Sequence, residues 1–207
     1  MLVVGLTGGI ATGKSTVARM LRARGAAVLD TDALVHELQA PGTEVYRTIL
    51  DAFGSDILAP DGTLDRQKLG TRIFADPEAR RRLEAIVHPA VAAEIRRRVE
   101  VLRREGRTRL CIVEAALLVE GGRRGIVDRI VVVTAPEAEQ VARLRAKTGL
   151  GEEEAWRRVR AQLPSAAKAG RADHVLVNDG DLAALARDVD ALADILLGEA
   201  AAGQKTP

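Results

Sequence analysis

The sequence predicts an α/β fold: a parallel sheet of five strands with helices on both faces, carrying a helical insertion. Three observations lead there. Short apolar runs alternate with segments of helical period. A glycine-rich loop, GGIATGKST, joins the first run to the first helix. From about Ala33 to Gly106 the chain is charged, helical in pattern and without a strand signal.

The elements follow in order. Leu2 to Leu6 reads as a buried parallel strand, apolar on both faces. Lys14 to Arg24 reads as a helix, with Val17, Met20 and Leu21 on one face and Gly25 ending it. Ala26 to Leu29 is the second strand and runs into Asp30-Thr31-Asp32. The helical stretch that follows is punctuated by Pro41-Gly42, Pro60-Asp61-Gly62 and Asp76-Pro77. It is too long for a simple crossover, so it is expected to form a lobe over the strand carboxyl ends, where such folds bind ligands. Arg109 to Val113 and Arg129 to Thr134 are the third and fourth strands. A helix is expected from Pro136 to about Arg145, a loop over Lys147 to Gly151, and a helix over Glu152 to Leu163. His174 to Val177 is the fifth strand, and Leu182, Leu185, Val189, Leu192 and Leu196 stripe the last helix. The expected core is 1–32 with 107–207, and the insertion is 33–106.

Composition narrows the function. Lysine and arginine total 31 against 29 acidic residues, a net charge of +2, and aromatics make up 2%. Neither a basic surface nor a stacking platform points to nucleic acid. The first apolar run is too short for a signal peptide core or a membrane span. The one cysteine, Cys111, lies in an apolar run and reads as a buried structural thiol. A cytoplasmic protein is expected, with neither nucleic acid nor membrane as partner.

Gly8, Gly13, Lys14 and Ser15 match G-x-x-x-x-G-K-[ST] at every fixed position. The glycines let the backbone curl so that N–H groups converge on phosphate oxygens, and the helix that follows adds its positive end. Gly9, Ile10, Ala11, Thr12, Gly13, Lys14, Ser15 and Thr16 are therefore the expected nucleotide-binding residues. Lys14 would reach the β- and γ-phosphates, and Ser15 would ligate magnesium. The chain has no Asn-Lys-x-Asp, and its Asp51-Ala52-Phe53-Gly54 falls inside the insertion, which speaks against a GTPase. Asp30 and Asp32, read as the end of the second strand, would point the same way. One of them would accept a proton from an acceptor hydroxyl, and the other would hold a magnesium water or position the first. The alternative is that either caps the following helix. Arg80-Arg81-Arg82 and Arg96-Arg97-Arg98 read as solvated helix faces, or as contacts to an acceptor's phosphates.

The phosphate loop, VLDTD, His88-Pro89, LLVE ending at Glu120, QLP at Gln162 to Pro164 and ADHVLVNDG from Ala172 together resemble the dephospho-coenzyme A kinase family, over roughly residues 1 to 195. The resemblance implies a P-loop kinase-like, three-layer α/β fold with a helical substrate lobe and a small lid, here 143–168. It implies transfer of the ATP γ-phosphate to the 3′-hydroxyl of dephospho-coenzyme A, with ATP and Mg2+ required. Asp32 matches the catalytic base. His88-Pro89 would open a helix of the substrate lobe. Leu117, Leu118 and Glu120 would wall the acceptor site, and Asn178 would sit on the adenine side. This chain differs from the usual pattern at Lys147-Thr148 (commonly Arg-Asp), at His36 (commonly Arg) and at Ala116 (often Pro). Arg143 or Lys147 would close over the phosphates. A monomer or weak homo-oligomer is expected. A kinase of another nucleoside or nucleotide, or a non-catalytic nucleotide-binding regulator, remains as the alternative.

Overall fold

The computed structural model describes residues 1–115 and 125–202. Its chain divides into two compact units: Met1–Leu29 with Val99–Pro207, and Asp30–Arg98.

The first unit holds five parallel strands: β1 (Leu2–Gly8), β2 (Ala27–Asp30, of which Asp30 falls in the second unit), β3 (Leu110–Glu114), β4 (Arg129–Thr134) and β5 (His174–Val177), in the order β2-β3-β1-β4-β5. β1 lies at the centre because it is apolar throughout; Val3, Val4 and Leu6 have no exposed surface. It pairs with β3 from Leu2↔Leu110 to Leu6↔Glu114, and with β4 from Val4↔Arg129 to Gly8↔Val133. The strand thus runs two residues beyond Leu6, because β4 pairs with Thr7 and Gly8. Chain order reverses across β1, so its carboxyl end opens a crevice between its two neighbours. On one face, α1 (Lys14–Ala23) and α9 (Leu182–Ala202) set Val17, Leu21, Leu185, Val189, Leu192 and Leu196 against Val4, Leu6, Ile112, Val131 and Val133. The carboxylates of Asp128 and Asp173 accept from the amides of Val3 and Ile130, at 2.8 and 2.7 Å.

Between β4 and β5 the chain forms α6 (Glu137–Thr148), α7 (Glu152–Arg160) and the short α8 (Ser165–Ala169). α6 passes the expected end at Arg145 because Gly149, at φ 71°, supplies its left-handed cap. Lys147 therefore stands on a helix, not in a loop.

The second unit contains α2 (Thr31–Leu38), α3 (Glu44–Phe53), a 3-10 turn (Ser55–Ile57), α4 (Arg66–Ala75) and α5 (Pro77–Glu105) as far as Arg98. Three of these helices start on a side-chain cap: Asp30 for α2, Thr43 for α3 and Asp65 for α4. Two expectations are corrected here. Asp30 and Asp32 do not share an extended strand end. Asp30 Oδ1 accepts from the amides of Asp32 and Ala33, which turns the chain into a helix and places Asp32 in its first turn. His88-Pro89 opens no helix. Both lie inside the 29-residue α5, whose start is set by Asp76 and Pro77. The helix passes through Pro89 at the cost of one backbone bond.

Candidate active site

Gly8 leaves β1 with φ 158°, and a Cβ there would meet the Val133 carbonyl oxygen at 2.3 Å. Only glycine lets the chain turn so close to β4. Gly13, at φ 100°, is the other fixed point: a Cβ would lie 2.3 Å from Asn178 Nδ2. Between them Thr12, fully buried, donates its hydroxyl to the Gly9 carbonyl at 3.0 Å. Ala11 adopts φ 57°, unusual for a residue with a side chain. Lys14 Nζ folds back onto the carbonyls of Gly8 and Gly9, at 3.0 and 2.7 Å. α1 then begins with no side-chain cap and no acidic residue in its first turn. The positive end of its dipole thereby faces no carboxylate from its own first turn, which favours an anion there.

Three outside contacts fix this loop. Asn178, just past β5, donates Nδ2 to the Thr12 carbonyl at 2.8 Å, and its own amide donates to the Thr134 carbonyl at 2.8 Å. Gln162 Oε1 accepts from the Ile10 amide at 2.7 Å. Ser15 donates its hydroxyl to Glu114 Oε1, at the end of β3, at 2.7 Å. The loop is also held by packing. Val141 and Leu144 of α6 and Ala155 and Val159 of α7 form an apolar cluster, and Ile10, Ala11, Leu150 and Trp156 pack against it.

Arg143 joins α6 to the nucleotide side. Its Nη2 donates to the Asn178 carbonyl at 3.1 Å and contacts Glu139, while Nη1 is buried without a hydrogen-bond partner. Lys147 lies one helical turn on, on the same face, and is exposed.

In the second unit Asp32 is exposed, and its neighbour Asp30 takes the capping role. His36, one turn after Asp32, meets Arg66 of α4. His88 and Pro89 are exposed on α5. Leu117, Leu118 and Glu120, like Ala116, lie outside the described residues. Gly9 to Thr16, Asn178 and Arg143 are thus brought together in one unit, and Asp32, His88 and Pro89 belong to the other.

Sequence reasoning assigned no role to Glu114 and used Gln162 only as part of a motif. A polar residue ending an apolar strand was the available signal for Glu114. Among the described residues there is no group of three or more His, Cys, Asp or Glu side chains placed to share a metal. Ser15 and Glu114 still supply two hard oxygen donors within hydrogen-bond reach, which fits Mg2+ chemistry. Among the described residues no helix is long and apolar enough to cross a membrane.

Comparison with known proteins places this arrangement. A family model for dephospho-CoA kinase matches residues 2–184. The chain is 53% identical over 182 residues to a dephospho-CoA kinase of Symbiobacterium thermophilum, covering 88% of this chain and 76% of the relative. It is 50% identical over 198 residues to a dephospho-CoA kinase of Anaeromyxobacter dehalogenans, covering 96% and 93%. A crystal structure from Thermus thermophilus superposes with a TM-score of 0.76 at 37% identity, covering 94% of this chain and 97% of that one.

Proposed function

The chain belongs to the dephospho-CoA kinase family, and from that premise we propose how its own residues transfer the ATP γ-phosphoryl group to the 3′-hydroxyl of dephospho-coenzyme A. The loop amides from Ala11 to Ser15 and the acid-free start of α1 bind the polyphosphate. Lys14 exchanges the carbonyls of Gly8 and Gly9 for phosphate oxygens. That exchange gives the empty loop a closed set of contacts and the loaded one a charge-assisted set. Ser15 and Glu114 are the residues that would hold Mg2+, which would supply positive charge to offset that of the phosphates.

Asp32 takes the proton. As the acceptor oxygen bonds to the γ-phosphorus, the bond from that phosphorus to the ADP oxygen breaks, and the hydroxyl proton passes to the Asp32 carboxylate. Support comes from the cap at Asp30, which satisfies the start of α2 and leaves Asp32 exposed for chemistry. Arg143 and Lys147, one turn apart, place positive charge over the transferring group. Asn178 fixes the nucleotide side of the loop. We further propose a cytoplasmic protein, a monomer or weak homo-oligomer, that binds neither nucleic acid nor membrane.

The observation that carries the reading is the loop itself, glycine-locked at both ends and opening an uncapped helix. It is tested by ADP release from magnesium-ATP with dephospho-coenzyme A, adenosine, AMP and CMP in turn. Dephospho-coenzyme A alone should stimulate turnover. Stimulation by a nucleoside or nucleotide instead would move the acceptor assignment, and stimulation by none would leave a nucleotide-binding regulator.

A further inference from the structure

Most arginines of the second unit that form ion pairs do so with glutamate: Arg80 with Glu84, Arg81 with Glu78, and Arg97 and Arg98 with Glu94. Arg66 differs. Its Nη1 lies 2.5 Å from Nε2 of His36. A guanidinium only donates, so Nε2 serves as the acceptor of this contact. The contact orients Arg66 without cancelling its charge.

Among the described residues no carboxylate forms an ion pair with Arg66. Asp65, its neighbour in sequence, accepts from the amides of Gln67 and Lys68 and faces the Lys68 ammonium at 3.9 Å. Glu37, next to His36 in sequence, pairs with Arg98. Arg66 is exposed. It therefore presents an oriented fork of donors. Its position matters because His36 is four residues after Asp32, so both side chains rise from one face of α2. The imidazole that holds the guanidinium thus stands one helical turn from the carboxylate assigned to proton removal.

We propose that Arg66, oriented by His36, binds the diphosphate of the acceptor beside the helix that carries Asp32. The chemistry suits it: a guanidinium grips phosphate oxygens in two places, and the acceptor carries its diphosphate on the 5′ side of the ribose that is phosphorylated. Arg66 is a specificity-determining residue and His36 a positioning one. The inference rests on the acceptor assignment made above.

The experiment is steady-state kinetics of wild type, Arg66→Met, Arg66→Lys and His36→Gln, varying dephospho-coenzyme A and ATP separately, with thermal unfolding as a check on folding. Arg66→Met should raise the KM for dephospho-coenzyme A about ten- to a hundredfold. Its kcat, its KM for ATP and its unfolding temperature should stay near wild type, as expected when binding common to ground and transition states is lost. Arg66→Lys should fall between the two. His36→Gln, which keeps an acceptor for the guanidinium but changes its reach, should raise the acceptor KM by less than Arg66→Met does. An unchanged acceptor KM in Arg66→Met overturns the proposal. So does a parallel rise in the KM for ATP or a drop in kcat, which would make Arg66 a structural residue. A wild-type protein without acceptor-dependent turnover removes the acceptor assignment and this proposal together, whereas full wild-type turnover with an insensitive Arg66→Met removes this proposal alone.

Discussion

Gly13 shows how one residue governs the nucleotide loop. Its φ of 100° disfavours any side chain, and a methyl group would strike Asn178 Nδ2 at 2.3 Å. Gly13→Ala should therefore break the Asn178–Thr12 bond and raise the KM for ATP by about tenfold or more. Titration with ATP checks this, and unchanged affinity would count against the clamp. Gln162→Met keeps the side-chain volume but deprives the Ile10 amide of its acceptor. An amide left unpaired costs about 1–3 kcal/mol. ATP affinity should fall accordingly, and Trp156, the sole tryptophan, packed against the same apolar cluster as Ile10 and Ala11, should report the loosened loop in its fluorescence. The glycines and Lys14 were legible in the sequence because their spacing is local. Glu114 and Gln162 were not assigned because their partners stand 99 and 152 residues away, and no periodicity encodes such a meeting. Cys111 was legible as a structural thiol. It is fully buried, and burial pushes its thiol up to about 11.

At the scale of elements, α2 separates two aspartates that look equivalent in the sequence. Asp30→Ala should lower stability by about 1 kcal/mol, the ordinary loss of a helix cap. Substitution of Asp32, which makes no cap, should leave the unfolding temperature almost unmoved. Sequence spacing could not tell the pair apart, because the strand ends at Asp30, two residues before the Asp32 that the extended reading requires. α5 carries a pH-dependent contact. Hydrogen bonds from Arg97 first, then Arg98, hold the Glu94 carboxyl down at about 2, against an ordinary value of 4.5. A depressed carboxylate adds stability above its unfolded value and loses it as the pH falls through the folded one. The wild type should thus lose stability between about pH 4.5 and pH 2 more steeply than Glu94→Gln, as measured by urea unfolding across that range. The same helix explains the misread His88-Pro89. Proline normally marks a helix start, but α5 already has one at Pro77, and 29 residues of packing carry it past the missing bond.

At the scale of the molecule, the alternation of apolar runs and helices was enough to reach the five-stranded parallel sheet, because a strand buried on both faces must be apolar throughout. The order β2-β3-β1-β4-β5 is not written in any run; it follows from which edges pair once the chain has folded. The two compact units divide at Leu29/Asp30 and Arg98/Val99, inside β2 and α5, where no punctuation in the sequence marks a boundary. The central claim is that Asp32 removes the acceptor proton while the loop holds ATP. The most direct measurement is the rate of phosphoryl transfer by Asp32→Asn at saturating magnesium-ATP and dephospho-coenzyme A, with both substrate affinities measured alongside. A drop of about 10²–10⁴ in kcat with both affinities kept within a few-fold is the predicted result. A variant that turns over at the wild-type rate would contradict the assignment of Asp32.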